Sequence, residues 1–541
     1  MTLSATQIQA IVDATKTPTP EQVRVVEAPR RPLLVVAGAG SGKTETMSMR
    51  VLWLLANHPD LTPASILGLT FTRKAAGELG DRLRVRIRLL SRELPQLSER
   101  LDEDPVTLTY NSFAERIVSE HGMRIGIDPD FSMLSEAGAL DLMTQIVEAW
   151  PTDLDDDLSP AGVVGRVLHL AGEIAEHGYT VDSARQALEG FGRELEIVGD
   201  SNKAAQELHQ ANQRRIAFLG PIEAYQKRKR EMGLLDFSDQ LVLATRIVRE
   251  VPSVRAALRE EFRAVLLDEF QDTSVIQMEL LSTLFGDHAV TAVGDPNQAI
   301  YGWRGASASS LETFLERFQT GAPEEGQTLT LSTAWRNDVS ILDAANRVAE
   351  PLREVASYQA GKEQLNAQSP VLVPRPGAGR GVVEIAYPAA YEDALAATVD
   401  FVRRVRAQPV TDGRRRTVAV LSRRRKDFPL IDAALREAGI PTEIVGLGGL
   451  LDQPAVQDVR AALELAYDVS ASPWLARLLA GIDLGAADLM ALGDWARALA
   501  RREGASSHQA VLLDAVDDPP APGWADKGRP AISEEAVRRV R

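Results

Sequence analysis

The feature that most limits what this chain can become is Ala37-Gly-Ala-Gly-Ser-Gly-Lys-Thr44, set between an apolar run and a helical repeat. Residues 33–37 (Leu-Leu-Val-Val-Ala) are continuously apolar, and Met47, Val51, Leu54 and Leu55 recur at helical spacing. Strand, glycine-rich turn and helix in succession open a doubly wound parallel sheet. A turn of this composition lets backbone N–H groups converge on phosphate oxygens without side chains in the way. The following helix presents the partial positive charge of its N-terminus to the same anion. Ala37, Gly38, Ala39, Gly40, Ser41, Gly42, Lys43 and Thr44 are therefore the expected nucleotide cradle, although Ala37 stands where glycine is the common choice. Within it, Lys43 is expected to reach the β- and γ-phosphates and the Thr44 hydroxyl to ligate magnesium.

A phosphate loop alone does not choose among kinases, GTPases, transporter ATPases and motors. Ala264-Val-Leu-Leu-Asp-Glu-Phe-Gln-Asp-Thr273 narrows the choice, because it is a buried-strand pattern ending in two adjacent carboxylates. Asp268 is placed to hold Mg2+, directly or through water, and Glu269 to polarise an attacking water as general base. That pairing favours hydrolysis of ATP over phosphoryl transfer to a bound acceptor. Ile66-Leu-Gly-Leu-Thr-Phe71 and Val290-Thr-Ala-Val293 complete a set of four strand candidates, each with its chemistry at the C-terminal end. Open α/β sheets bind ligands at that edge.

Composition removes other classes. None of the 541 residues is cysteine, which excludes disulfides, thiolate metal sites and cysteine nucleophiles together. No apolar stretch approaches the roughly 20 residues that span a bilayer, and the start lacks a signal-peptide pattern, so a cytoplasmic chain without a membrane partner is expected. The formal net charge of -16 argues against broad non-specific nucleic-acid binding but averages over unlike faces. Residues 151–157 form an acidic run and Arg403 to Lys426 is rich in arginine, both read as solvated surface.

Four further segments, in order, make the chain resemble the UvrD/Rep branch of superfamily 1 helicases. They are Leu69-Thr-Phe-Thr-Arg-Lys-Ala-Ala76, Leu235-Asp-Phe-Ser-Asp239, Val293-Gly-Asp-Pro-Asn-Gln-Ala-Ile-Tyr-Gly-Trp-Arg-Gly-Ala306 and Leu331-Ser-Thr-Ala-Trp-Arg-Asn337. The resemblance implies an ATP- and Mg2+-dependent translocase on single-stranded and duplex DNA, unwinding 3′ to 5′ in repair or recombination. It implies that Gln22 reads adenine, that Gln298 senses the γ-phosphate, and that Arg336 is an arginine finger from a second motor domain. It further implies a single-strand path along Phe71, Thr72, Asn111, Phe237, Tyr301, Trp303 and Arg304. Aromatics suit that path because base stacking is worth about 1–3 kcal/mol and tolerates any sequence.

The resemblance also fixes an expected organisation: an α/β P-loop NTPase with RecA-like parallel sheets and helical insertions. Residues 1–111 and 233–325 would form motor domain 1, 112–232 a helical insertion, 326–469 an incomplete motor domain 2, and 470–541 the start of a second insertion. In the second α/β part, 417–421 and 441–445 read as strands, 428–437 as a helix stopped by Gly439, and 368–381 as a loop. The chain departs from the family's pattern at Glu45 and Asn111, where arginine and histidine are usual, and at Trp335, where tyrosine is familiar. The family's last two motor motifs are absent, so an N-terminal portion of a longer protein is expected. Thr72-Arg-Lys-Ala-Ala-Gly and Gly446-Leu-Gly-Gly-Leu also resemble helicase–nuclease subunits of the AdnAB type, which would bring a partner subunit. A small-molecule kinase is the alternative from another class, and it leaves the motif order without a reason.

Overall fold

The computed structural model describes residues 2–128, 130–152, 154, 158–198, 203–302, 310–319, 327–359, 369–409, 416–445, 453–502, 510–526 and 528–541. Trp303, Arg304 and the segment 446–450 lie outside the described residues. The chain divides into two compact units, Met1–Val383 and Glu384–Arg541.

Six parallel strands make the central sheet of the first unit: β1 (Leu33–Ala37), β2 (Ile66–Thr70), β3 (Val106–Thr109), β4 (Ala264–Leu267), β5 (Val290–Gly294) and β6 (Gln327–Leu331). Their order is β3-β2-β4-β5-β1-β6, with β1 registered against β5 at Leu33–Thr291 and β4 against β2 at Ala264–Ile66. The continuous apolar runs follow from burial on both faces. Leu34, Val36, Leu67, Leu69, Val265 and Leu267 point to one core, and Leu33, Val35, Ile66, Ala264, Leu266 and Val293 to the other. Because side chains alternate along a strand, the two cores need apolar residues at consecutive positions.

Helices α1 (Ala5–Val12), α2 (Pro20–Val26), α3 (Lys43–Asn57) and α4 (Arg73–Glu93) bury their apolar stripes in the second of these cores. On α4, Leu79, Leu83, Ile87 and Leu90 form that stripe, and the Thr72 hydroxyl caps the helix by accepting from Ala75 N–H. On the opposite face lie α5 (Tyr110–His121), then, after the insertion, α10 (Phe237–Glu250), α11 (Pro252–Glu261) and α12 (Val275–Phe285). The insertion comprises α6 (Glu136–Glu148), α7 (Pro160–Glu176), α8 (Val181–Val198) and α9 (Lys203–Glu231). It has a core of its own around Met143, Val167, Leu219, Ile222 and Tyr225.

Two features differ from the sequence reading. The segment expected to open a second motor domain begins with β6, which pairs with β1 and extends the first sheet. Residues 417–421 and 441–445, expected as strands, form none, because a strand requires a ladder and neither run has one among the described residues. The neighbouring helix Phe428–Glu437 does form, and Gly439 ends it at a φ of +73°. Val402, Leu435 and Ile440 make the small core there. Four more helices, from Ser472 to Val540, pack about Leu479, Leu492, Trp495 and Val537 in the same unit.

Candidate nucleotide and single-strand sites

The phosphate loop leaves β1 at its C-terminal end and enters α3 through Gly42, whose φ of +83° only glycine adopts without strain. No side chain caps α3, so the N–H groups of its first turn remain available to an anion. The loop is braced from behind. Gly38 N–H donates to Leu331 O at 3.1 Å, and Trp335 N–H to Gly40 O at 2.8 Å. The brace puts Trp335, 41% exposed, and Arg336 directly beside the loop. The Arg336 Cβ lies 2.9 Å from where a side chain on Gly40 would begin. Arg336 thus follows the edge strand of the sheet that carries Lys43.

Gln22 sits on the first turn of α2, 8% exposed, with its Nε2 3.1 Å from where a Gly42 side chain would begin. Its Oε1 accepts from Thr19 N–H at 3.0 Å, closing a capping box. That oxygen keeps one lone pair, so the amide can still both donate and accept toward a base. Glu45, in the first turn of α3, is held by the Arg86 guanidinium at 2.6 Å and by Arg82 at 3.7 Å. A negative charge close to a phosphate site is thereby offset by two cations from α4.

The two carboxylates lie at the tip of β4. Asp268 is 8% exposed; burial first, and the adjoining Glu269 charge second, push its carboxyl up to about 6, with Lys43 pulling it down. It is fixed by Glu269 N–H, which donates to Oδ1 at 3.0 Å, and its backbone oxygen accepts from Tyr110 Oη at 2.9 Å. Burial and the nearby carboxylates hold the Tyr110 phenol well above its ordinary range, so it stays a donor. Glu269 has a φ of +50° and ψ of +41°, a left-handed conformation that costs a non-glycine residue about 1–3 kcal/mol. It turns the carboxylate back over the phosphate loop, where Oε2 lies 3.0 Å from Lys43 Nζ. Lys43, Asp268 and Glu269 thus converge on one patch at the C-terminal edge, and Thr44 follows Lys43 on the first turn of α3. Hydroxyl and carboxylate oxygens with an ammonium are the donor set that Mg2+ and a triphosphate require.

Beside this patch, Gln298 Nε2 donates to Asp295 Oδ2 at 2.6 Å. Phe71, at the end of β2, stacks on Tyr301 with ring centroids 4.7 Å apart and 27° between planes. Thr72 is exposed at the cap of α4. Asn111, on the first turn of α5, accepts from Gln277 Nε2 at 3.2 Å, which ties it to α12. Phe237 is 53% exposed at the first position of α10. Behind it Lys229, 4% exposed, bonds Asp236 at 2.5 Å and Asp239 at 2.6 Å, which fixes the start of that helix.

Comparison with known proteins decides the family. The sequence model of the UvrD/REP helicase N-terminal domain matches residues 18–319, more than half of the chain. This chain belongs to the UvrD/REP helicase family. It is 32% identical over 331 residues to DNA helicase II of Escherichia coli strain K12, a match covering 61% of this chain and 40% of that protein. It is 28% identical over 329 residues to the ATP-dependent DNA helicase PcrA of Staphylococcus epidermidis, covering 61% and 39%. The PcrA of Staphylococcus aureus strain Mu50 is 28% identical over 335 residues. The chain therefore spans about 40% of the length of the curated relatives it matches.

Several residues of this UvrD/REP site carry no sequence signal for their roles. Arg50 on α3 is 1% exposed, and its guanidinium donates to the carbonyls of Val25, Val26, Ala28 and Pro29 and to Thr291 Oγ1. It ties the helix bearing Gln22 to the helix bearing Lys43. Glu21 accepts from Ser332 N–H and Oγ, at 2.8 and 2.7 Å, and anchors α2 to the end of β6. Among the described residues, no helix is long and apolar enough to cross a membrane.

Proposed function

We propose that this chain is the ATP-hydrolysing front of a DNA translocase, with hydrolysis stimulated by single-stranded DNA and coupled to 3′–5′ unwinding. The observation that carries the reading is the meeting of Lys43 and Glu269 at 3.0 Å, from positions 226 residues apart, at the tips of β1 and β4. Mg-ATP would lie on residues 37–44, its γ-phosphate drawing Lys43 from Glu269 and its metal held by Thr44 and Asp268. Gln22 would meet the adenine. Glu269, released from Lys43, would orient the attacking water. Gln298 and Arg336 would address the γ-phosphate as charge develops on it.

Single-stranded DNA would lie along Phe71, Thr72, Asn111, Phe237 and Tyr301, continuing to Trp303 and Arg304. The likeness to DNA helicase II and PcrA supports DNA as the track; repair or recombination as the setting and the cytoplasm as the place belong to the same proposal. Residues 1–111 and 233–325, with the edge strand β6, are proposed as the first motor domain, 112–232 as its insertion, the chain from the end of β6 to 469 as part of the second, and 470–541 as a further insertion. A helicase–nuclease partner subunit belongs to the same proposal.

The test is binding and hydrolysis of Mg-ATP by the 541-residue chain, with and without single-stranded DNA. Binding that requires Lys43, with hydrolysis raised by DNA, supports the reading. Hydrolysis indifferent to DNA would leave an ATPase without the proposed coupling to DNA.

A further inference from the structure

Gln271 stands between the carboxylates assigned to hydrolysis and the loop that leads to Tyr301, and its amide is spent on joining them. It is 3% exposed. Its Nε2 donates to Glu269 Oε2 at 2.9 Å and to Asp272 Oδ2 at 3.2 Å, which uses both amide protons. Its Oε1 accepts from Asp295 N–H at 3.0 Å. The backbone closes tightly here: a Cβ on Gly294 would stand 2.8 Å from that oxygen.

Each partner leads onward. Asp272, 6% exposed, accepts from Ile300 N–H at 3.2 Å through Oδ1, and from the backbone of Tyr301. Tyr301 in turn stacks on Phe71. Asp295 accepts from Gln298 Nε2 through Oδ2 and from Ser369 Oγ at 3.0 Å through Oδ1. Direct contacts therefore run from Lys43 through Glu269, Gln271 and Asp272 to the Tyr301–Phe71 pair.

We infer that Gln271 is a positioning residue that couples Glu269 to the 295–301 loop, so that nucleotide and single-stranded DNA sense each other through its amide. The inference rests on the proposed reading of the two sites. A nucleotide that draws Lys43 away leaves Gln271 as a donor to Glu269 Oε2. If Glu269 then turns toward water, a buried amide proton loses its acceptor unless Asp272 or Asp295 moves with it. Asp272 cannot move without shifting the backbone of Ile300 and Tyr301. The same linkage works in reverse, because coupling between two binding sites is reciprocal.

The experiment measures equilibrium binding of a non-hydrolysable Mg-ATP analogue and of oligo-dT to the 541-residue chain, each alone and in the presence of the other. The wild-type chain is expected to show a coupling factor of about tenfold, within the usual range for linked sites. Gln271→Met, similar in length but without donors or acceptor, should bring the factor within about twofold of unity while each ligand alone keeps its affinity within about threefold. Asp272→Asn should do the same, since whichever way its amide turns it loses either the Gln271 or the Ile300 contact. Thermal melting identifies the folded variants, and the asparagine variant carries the test if the methionine variant fails to fold. Wild-type coupling in a folded variant, or a wild type that binds both ligands without coupling, overturns the inference. A wild type that fails to bind one ligand overturns the reading of the sites beneath it.

Discussion

Lys43 Nζ and Glu269 Oε2 form an ion pair at 3.0 Å, so the ammonium proposed to bind phosphate and the carboxylate proposed to activate water neutralise each other. The pair is only partly buried, with side-chain exposures of 12% and 38%, which keeps it within reach of an incoming phosphate. In the proposed site the pair would also keep Glu269 from acting on water until a nucleotide separates the two.

Removing either partner should therefore act on chemistry more than on folding. Lys43→Ala is expected to lower ATP turnover by at least about 100-fold, the cost of losing one charge-stabilising donor, while single-strand binding is retained. Glu269→Gln should lower turnover by about 10²- to 10⁴-fold, as for a lost general base, yet bind Mg-ATP at least as well as wild type. Turnover and equilibrium nucleotide binding measured side by side check both. Normal hydrolysis in either variant would mean the residue is wrongly placed in the site.

A pH dependence follows from Asp268. Its carboxyl is raised to about 6 in the folded chain from an ordinary 3.8, chiefly by burial. The folded state therefore holds this proton more tightly than the unfolded state does. The resulting destabilisation is complete above about pH 6, shrinks as pH falls, and vanishes below about 4; at its fullest it is about 3 kcal/mol. In magnesium-free buffer, Asp268→Asn should melt higher than wild type at pH 8, with the gap closing toward pH 4. Paired melting curves across that range decide it, and a gap that does not change with pH counts against a buried, charge-opposed Asp268.

What the sequence revealed tracks burial. Strands β1 and β4 were legible at their observed bounds because two covered faces require an unbroken apolar run. The edge strands β3 (Val-Thr-Leu-Thr) and β6 (Gln-Thr-Leu-Thr-Leu) alternate with polar residues and carried no comparable signal. Residues 417–421 show the opposite failure: the apolar pattern is present, but a strand exists only with its ladder. At the site, the phosphate loop and the two carboxylates were legible because each chemistry is carried by neighbours in sequence. Gln271 lay inside a recognised segment, yet its partner Asp295 is 24 residues away, and no local pattern encodes that bond.

Arg50 offers a stability prediction with a functional component. Its buried guanidinium has no carboxylate among the partners described above; burial lowers its pKa to about 10, and carbonyls from the end of α2 satisfy it. Arg50→Met would leave several buried carbonyls without a donor, at a cost of roughly 3 kcal/mol. Because α2 carries Gln22, the surviving folded protein should also show a raised KM for ATP with kcat little changed. Denaturant unfolding and ATP titration together test this. Lost stability with an unchanged KM would confine Arg50 to the core.

The last prediction concerns the aromatic pair beside the nucleotide patch. Phe71 packs partly against the first core, and its ring is covered by Tyr301. If the pair serves only packing, Phe71→Ala should lower stability and leave DNA affinity alone. If it is a stacking platform, Phe71→Ala should cost about 1–3 kcal/mol of oligo-dT affinity, roughly 5- to 150-fold. Phe71→Tyr or Phe71→Trp, which keep a π face, should then restore most of it. The aromatic replacements separate the two roles, because a packed core resists added bulk whereas a base platform tolerates it. We expect single-strand affinity to follow the presence of a ring at position 71, and DNA stimulation of ATP hydrolysis to follow it in parallel.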